Sequence, residues 1–350
     1  TAAKTIEVLD EAGLRQAVTQ AQAEIVLKNS ITLSQSLVID QPVTIDGQKN
    51  TITGVVDLQN GTLRNVVLTA AQNNQVFFTI GSTKENHITM ENVTVKYPCV
   101  ETSKTVSKVL NGNNAAILIN NCLFMNEGQN TVTENASEWS FGLSMDTQGE
   151  SGSFTFTNNR FEGAFRTMLP SINGTVTIQK NTFVNHVYSV NVDAGGSGQE
   201  ATCITTTDAA NHDFLISGNT FDNAGAFYFQ KTQNAKVMDN TFNFDQFEHF
   251  IQVAGKAGHP LNLTDNQFMT GSNKIVVVDV ADASVVLPAG TPAVSYWAWA
   301  DTPQESRPAD YRSYVYEYNA DGSRMFRPST SAALNAFFNP VPGNIGVADG

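Results

Sequence analysis

Positive charge is scarce in this sequence. Its 20 Lys and Arg residues stand against 33 Asp and Glu residues, which gives a net charge of −13 over 350 residues. The basic residues form no patch or stripe, so we expect neither a nucleic acid nor an anionic membrane surface as a partner. Charged residues of both signs make up only 15% of the chain, and Asn is abundant. This bias is typical of stacked strand repeats, in which neutral side chains lie above one another.

Cysteines and long apolar runs are also scarce. Cys99, Cys122 and Cys203 form no CxxC pair and no recognisable disulfide framework. We interpret Cys122, which lies among strand-like repeats, as a small buried thiol rather than a catalytic one. No apolar run reaches the ~18 residues that a membrane-spanning helix needs, so no insertion into a membrane is expected.

Common catalytic motifs are missing as well. The five histidines show no HExxH or similar spacing, and the sequence has no Gly-x-Ser-x-Gly elbow. Glycine motifs that bind phosphates or dinucleotides do not occur. The sequence therefore predicts no metal site and no cofactor, and no motif identifies a catalytic residue.

What the sequence does contain is a repeat that runs from Asn121 to Phe268. Six times an Asn precedes a Phe by two or three residues, each time after a short segment of alternating apolar residues. The alternation predicts a strand with one buried face, and its recurrence at intervals of roughly twenty residues or more indicates a stacked repeat. The six pairs are Asn121 and Phe124, Asn159 and Phe161, Asn181 and Phe183, Asn219 and Phe221, Asn240 and Phe242, and Asn266 and Phe268.

The repeat has a simple physical explanation. We expect each Asn to turn the chain between two strands, because Asn tolerates the left-handed backbone region better than other residues with a side chain. Its carboxamide is expected to bond to the Asn of the next coil, and the Phe to stack on its equivalents inside. One coil cannot bury its own apolar face, but successive coils can. The sequence thus predicts an all-β solenoid.

The units NNRF, KNTF, GNTF, DNTF and DNQF resemble the repeats of right-handed parallel β-helix proteins, the pectate-lyase-like superfamily. The opening EVLDEAGLRQAV and the strands after it are similar to bacterial surface proteins with a pectate-lyase-like adhesive domain. The resemblance implies a right-handed parallel β-helix, a single-stranded solenoid, and a secreted or cell-surface location. No signal peptide is present, and because the chain opens at Thr1 without Met, we interpret it as a form whose leader has been removed.

The catalytic strings of that superfamily do not occur here. Polygalacturonases carry Asn-Thr-Asp, Asp-Asp, Gly-His-Gly and Arg-Ile-Lys, none of which is present. Pectate lyases of the best-known type carry an Asp-His pair, whereas this chain has only Asn211, His212 and Asp213, in the wrong order. The resemblance therefore implies the fold without implying an activity.

Both ends of the predicted solenoid have a cap. We assign residues 1–290 to the β-helix, including an N-terminal helix at about 10–22 that begins at Asp10 and carries the apolar stripe Leu14, Ala17 and Val18. We assign residues 291–350 to an aromatic-rich C-terminal cap. Its segment YRSYVYEYNADGSRMF predicts a β-hairpin with Asp321 and Gly322 in the turn, and its Trp297 and Trp299 leave a sugar-stacking surface as an alternative.

Two gaps in the repeat, 127–153 and 193–213, are longer than the others. Each holds either a loop insertion or an additional coil. Insertions in solenoids often leave from the working face, so these segments are either functional or plain surface excursions.

In the family that the repeat resembles, the binding groove lies along the strand that follows the Asn turn by one strand. Counting from each Phe places that strand at 141–147, 165–169, 186–193, 225–231 and 248–254. Alternation then predicts which side chains point outward. The predicted outward set is Ser144, Asp146, Arg166, Asn191, Asp193, Tyr228, Gln230 and Gln252.

Asp146, Arg166 and Asp193 are the candidate catalytic residues, because stacked parallel strands lie only ~4.8 Å apart. The two carboxylates could serve as acid and base in glycoside hydrolysis. Arg166 could instead be the base of a polysaccharide lyase that uses a carboxylate-bound Ca²⁺. A third interpretation is that Arg166 merely neutralises acidic neighbours on a solvated face.

Three functional hypotheses remain open. The main one is a secreted or cell-surface β-helix that binds a polysaccharide, a glycan surface or host matrix, in the manner of an adhesin and without chemistry. The second is a polysaccharide lyase or glycoside hydrolase that holds a long polysaccharide in the groove, with Ca²⁺ as a cofactor if it is a lyase. The third is a structural stalk or spike segment. The sequence predicts no oligomeric state.

Overall fold

The structure is a computed structural model of the chain. The described residues are 3–69, 78–79, 86–97, 106–108, 116–126, 140–162, 168–184, 192–193, 202–206, 213–222, 226–229, 235–243, 249–253, 261–269, 275–278, 285–286, 288–289, 294–299, 311–314, 317–318 and 324–326.

The chain winds as a parallel β-helix, which confirms the predicted fold class. Successive coils add parallel strands to the same sheets, with each strand in register with its equivalent one coil away. The second sheet has ten strands, one from each of ten successive coils. These strands are Ile31–Thr32, Thr51–Thr53, Val67–Thr69, Thr94–Tyr97, Leu123–Asn126, Arg160–Glu162, Thr182–Val184, Thr220–Asp222, Thr241–Asn243 and Gln267–Met269.

The first sheet has 17 strands, which form two stacks. The two stacks belong to one sheet because two long strands take part in both. One stack consists of strands that precede a second-sheet strand in their coil, and the other consists of strands that follow one. The strands are Thr5–Val8, Glu24–Leu27, Thr44–Asp46, Gly61–Arg64, His87–Glu91, Val106–Lys108, Ala116–Asn120, Ser140–Thr157, Met168–Gln179, Thr202–Thr206, Asp213–Ser217, Ala226–Phe229, Ala235–Met238, His249–Val253, Ile275–Val278, Val294–Trp299 and Tyr311–Tyr314.

We call the strands that follow the second sheet the third-strand stack. It begins at Val106–Lys108, takes the first halves of the two long strands, and then continues through parallel pairings to Tyr311–Tyr314. In the earlier coils the third strands form a sheet of their own. These strands are Leu37–Ile39, Val56–Leu58 and Phe78–Thr79. Two small sheets complete the structure, one of Val192–Asp193, Glu317–Tyr318 and Arg324–Phe326 and one of Leu261–Asn262 and Val285–Val286.

A short helix, Glu11–Ala17, covers the N-terminal end. Asp10 is its N-cap, since its side chain accepts a hydrogen bond of 2.8 Å from the backbone N–H of Gly13. Leu14, Ala17 and Val18 are buried against the first coil, as the apolar stripe predicts. The helix ends at Ala17 and is therefore shorter than the predicted 10–22. The chain has to turn back before Glu24–Leu27 can pair with Thr5–Val8, and it does so through Gln22, whose φ is 66°.

The register of the second sheet places the six phenylalanines above one another. Neighbouring ring centroids from Phe124 to Phe268 are 5.1, 6.1, 4.9, 4.7 and 4.6 Å apart. The first five rings are buried and Phe268 is partly buried. Stacking at these distances adds about 0.5–1.5 kcal/mol per pair to the gain from burial. One continuous aromatic column therefore runs through the interior of the repeat.

The turn at the corner differs from the prediction. The left-handed residue is not the buried Asn but the one before it, which is Asn158, Lys180, Gly218 or Asp239 in four successive coils. The reason is that the buried Asn must keep its side chain inside the corner, whereas the left-handed residue is exposed.

Asn121 therefore does not belong with the other five asparagines. It takes the left-handed conformation, with φ 55°, and is exposed, while Cys122 fills the buried position after it. The strand register agrees, because Phe124 pairs with Phe161 and the residues two places earlier are Cys122 and Asn159. The different spacing of this first pair in the sequence reflects that shift.

The two long gaps contain no additional coil. The second-sheet strands on either side of each gap are direct neighbours, since Phe124 pairs with Phe161 and Phe183 with Phe221. The first gap contains the start of Ser140–Thr157, and the second contains Thr202–Thr206, both of which are third strands. Each gap therefore adds no strand to the second sheet and includes described residues of a third strand.

Parallel pairing continues past residue 290. Val294–Trp299 and Tyr311–Tyr314 extend the third-strand stack, so Tyr311–Tyr314 is not part of the predicted hairpin. The hairpin itself is smaller, with Tyr318 opposite Arg324 and Glu317 opposite Met325. Its second strand also pairs with Val192–Asp193.

Candidate functional site

The third-strand stack brings two of the predicted groove residues together. Tyr228 and Gln252 are register partners in neighbouring parallel strands. Residues at one register position of stacked strands lie on the same face of the sheet, because the alternation of each strand is in phase with the next.

The same register position continues in both directions. Thr205 is the partner of Tyr228 in the preceding strand, and Gln252 is followed by the partners of the next three strands. We call this set the groove column. Its members are Thr205, Tyr228, Gln252, Val278, Trp297 and Arg312.

Trp297 and Arg312 were missed as groove positions, because their aromatic-rich segment was interpreted as a cap. The alternation of VSYWAW could have indicated a strand. The apolar or aromatic residue of each strand lies one position earlier, namely Phe227, Ile251, Val277 and Tyr296. Alternation therefore places the groove column and these residues on opposite faces of the stack.

Asp193 does not belong to the stack, contrary to the prediction. The strand that follows Met168–Gln179 in the stack is Thr202–Thr206, with Met168 opposite Ile204. Asp193 instead lies in a small antiparallel sheet, opposite Met325. The segments HVYSVNVD and ATCITTT both alternate, so counting from Phe183 could not tell which of the two would pair with the neighbouring coil. Asn191 lies outside the described residues.

Of the three candidate catalytic residues, Asp146 and Asp193 are described, and they lie in different sheets. Asp146 lies in the third-strand stack, but the residue opposite it is Ser171. Arg166 and Gln230 lie outside the described residues. Ser144 is opposite Leu169. Asp146 and Asp193 are therefore not neighbours within one stack.

The buried asparagines use their side-chain groups to hold the corner together. The Oδ1 atom of Asn219 accepts a bond of 2.9 Å from the backbone N–H of Asn181, and its Nδ2 atom donates to the carbonyl of Ile178 at 2.9 Å. The same pattern recurs at Asn240 and Asn266. Each amide thus satisfies backbone groups of the preceding coil that the turn leaves without a strand partner. These side chains are therefore structural and offer no ligand-binding groups.

Cys122 begins this corner column. Its backbone N–H donates to the Oδ1 atom of Asn159 at 2.7 Å, and its Sγ atom donates to the carbonyl of Asn120 at 3.3 Å. Burial raises the pKa of the Cys122 thiol to about 12. The thiol is therefore protonated at neutral pH and provides no nucleophile.

The outer face of the first sheet carries ion pairs near the N-terminus and mixed side chains further along the axis. Near the N-terminus Arg64 lies 3.7 Å from Asp46 and 3.9 Å from Glu24. Further along, one register column runs through Leu118, Thr155, Thr177, Leu215 and Lys236. Exposed ion pairs such as those of Arg64 contribute little to stability, so this face is a solvated surface rather than a site.

Neither a metal site nor a membrane span is found in the described parts of the chain. No group of three or more His, Cys, Asp or Glu residues there could hold a metal ion. None of the described helices is long and apolar enough to cross a membrane.

Comparisons with known proteins give no relative. No family model matches the chain, and no match is found among the curated proteins or the solved structures.

Proposed function

We propose that this chain is a secreted or cell-surface β-helix of the pectate-lyase-like type that binds a polysaccharide or glycan surface without chemistry. The observation that supports this proposal is the register of Tyr228 with Gln252 in the third-strand stack. An aromatic ring offers a flat apolar surface to a sugar ring, and a neighbouring carboxamide offers both a donor and an acceptor to its hydroxyls.

The arrangement favours a polymer over a small molecule. The groove column crosses the strands at right angles, so its members follow one another at intervals of ~4.8 Å along the axis of the solenoid. An extended polysaccharide that lies along this axis can contact several of them at once. Repeat proteins commonly use such long, regular surfaces for binding.

A binding assay tests the proposal. The purified chain is applied to an array of plant, bacterial and animal polysaccharides, and its affinity for the best one is measured by calorimetry. We expect Tyr228→Ala and Gln252→Ala each to weaken binding about tenfold, as for the loss of roughly 1.4 kcal/mol. Lys236→Ala is the matched control, because Lys236 is exposed on a strand outside the groove column.

The same array distinguishes the other two hypotheses. Each polysaccharide is also assayed for new reducing ends and for the unsaturated product of elimination. Turnover that Asp146→Asn abolishes would establish an enzyme and overturn a purely binding role. Absence of binding to every polysaccharide would favour the stalk.

A further inference from the structure

The C-terminal end of the groove column has a different chemistry from the rest. Val278 pairs with Trp297, and Trp297 pairs with Arg312, in the last three strands of the third-strand stack. These pairings continue the register of Tyr228 and Gln252 without a shift. All five residues therefore share one face of the sheet.

Charge is distributed unevenly along the groove column. Arg312 is its one charged member, since the other five are Thr205, Tyr228, Gln252, Val278 and Trp297. An anionic group on a ligand that lies along the column is therefore attracted to its C-terminal end.

We propose that Trp297 and Arg312 form a subsite for an anionic substituent of the bound glycan, so that the ligand is a largely neutral polysaccharide with carboxylate or sulfate groups. This inference rests on the proposed function. Arg suits such a group because its planar guanidinium binds two oxygens of a carboxylate or sulfate at once. Trp297, one strand away, provides the stacking surface for the sugar that carries it.

The spacing fits an oligosaccharide. Tyr228 and Trp297 are three strand steps apart, or about 14 Å, and Arg312 is one step further. A ligand that stacks on both aromatic residues therefore covers Gln252 and Val278 in between, and its anionic end reaches Arg312. A polyanion charged on every sugar would not suit the chain, because the net charge is −13.

The experiment compares three probes: a neutral oligosaccharide of the polysaccharide selected on the array, the same oligosaccharide oxidised to a uronic acid at one terminal sugar, and its sulfated form. We expect an anionic form to bind about tenfold more tightly than the neutral one at low salt, and this advantage to shrink as the salt concentration rises. Whether the uronic acid or the sulfate gains more identifies the natural substituent.

Variants of Arg312 and Trp297 test whether these residues cause the preference for the anionic probes. Arg312→Gln should abolish the preference for the anionic probes, so that all three probes bind the variant with similar affinity. Arg312→Lys should retain part of the preference, because the charge remains but the fork geometry is lost. Trp297→Ala should weaken the binding of all three probes. Thermal unfolding of each variant verifies that the fold is intact.

The outcomes separate this inference from the proposed function. Equal affinities for neutral and anionic probes, or a preference that survives Arg312→Gln, would overturn the anionic subsite alone and would assign Arg312 to a structural contact with Trp297. Failure of all three probes to bind, together with no effect of Tyr228→Ala on the array, would overturn both.

Discussion

At the scale of single residues, each corner is formed by two neighbouring positions with different structural roles. The first takes the left-handed backbone conformation and is exposed, while the second is a buried Asn that bonds to the preceding coil. Only the first position is conformationally strained. Lys180 occupies it with φ 56°, whereas the corresponding residue of the next coil is Gly218 with φ 68°.

Lys180→Asn should stabilise the protein. A side chain with a Cβ costs roughly 1–2 kcal/mol in the left-handed region, and Asn reduces that cost, so we expect a gain of about 0.5–1 kcal/mol. The measurement is thermal or urea unfolding followed by circular dichroism. Lys236→Asn is the control, because it removes the same charge from an exposed strand position without positive φ.

Gly218→Ala is the converse variant and should destabilise the protein. A Cβ at Gly218 would lie 3.6 Å from the Cγ of Lys180, which is an ordinary contact, so the cost is conformational and amounts to about 1 kcal/mol. An unchanged melting temperature in both variants would show that these corners are not strained.

At the scale of one element, the N-terminal helix is fixed to the first coil by a single carboxylate. The Oε1 atom of Glu11 accepts bonds from the backbone N–H and the hydroxyl of Ser34, at 2.9 and 2.8 Å, and from Arg15. Arg15 also donates to the carbonyl of Ser36. A seven-residue helix is too short to be stable alone, so this docking and its buried apolar stripe must hold it.

Docking of the helix should therefore depend on pH. The backbone N–H of Ser34, then its hydroxyl and Arg15, lower the pKa of Glu11 below the ordinary value of 4.5. For a lowered pKa, the stabilisation is complete above the ordinary value and is lost as the pH falls through the value of the folded state. Hydrogen-exchange protection of the amides of Leu14 and Val18, corrected for the intrinsic rate, should fall when the pH drops from 6 to 3.

Glu11→Gln should remove most of that pH dependence and lower protection already at pH 6. Glu7→Gln is the matched control, because Glu7 is exposed and its only described ion pair is a contact of 3.4 Å with Lys28. Identical pH profiles for the wild type and Glu11→Gln would rule out this carboxylate as the fastening group.

At the scale of the whole molecule, most described strand pairings join neighbouring coils, and the pairing of Val192–Asp193 with Arg324–Phe326 is an exception. Register partners come from consecutive coils throughout the second sheet, and the aromatic column is built from contacts of the same kind. Stability in such a solenoid is approximately a sum over coils and their interfaces. A lesion in one coil should therefore weaken its surroundings before it affects distant coils.

Phe221→Ala tests this expectation. The ring is fully buried and stacks on Phe183 at 4.9 Å and on Phe242 at 4.7 Å, so its loss should cost about 3–5 kcal/mol. Hydrogen exchange should accelerate in Thr182–Val184 and Thr241–Asn243, while Thr44–Asp46 in the N-terminal coils keeps its protection. Uniform loss of protection along the whole chain would instead indicate one cooperative unit.

Much of the architecture follows from the sequence alone. The periodic pairing of a short polar residue with Phe determines the stacked repeat, because alternation within a strand and recurrence between coils are both local properties. Asp10 and the stripe that includes Leu14 likewise specify the capping helix, since N-capping and amphipathic periodicity act within a few residues.

Tertiary structure decided the rest. HVYSVNVD and ATCITTT alternate equally well, and only pairing with Met168 selected Thr202–Thr206 for the stack, which moved Asp193 into another sheet. The same long-range pairing placed Trp297 and Arg312 in register with Tyr228. In the sequence, Trp297 lies nearly seventy positions after Tyr228, and Arg312 lies further still. Strand register is set by contacts between coils, and no local pattern encodes those contacts. The sequence by itself therefore determined that the chain coils. The tertiary structure decided which residues meet across the coils.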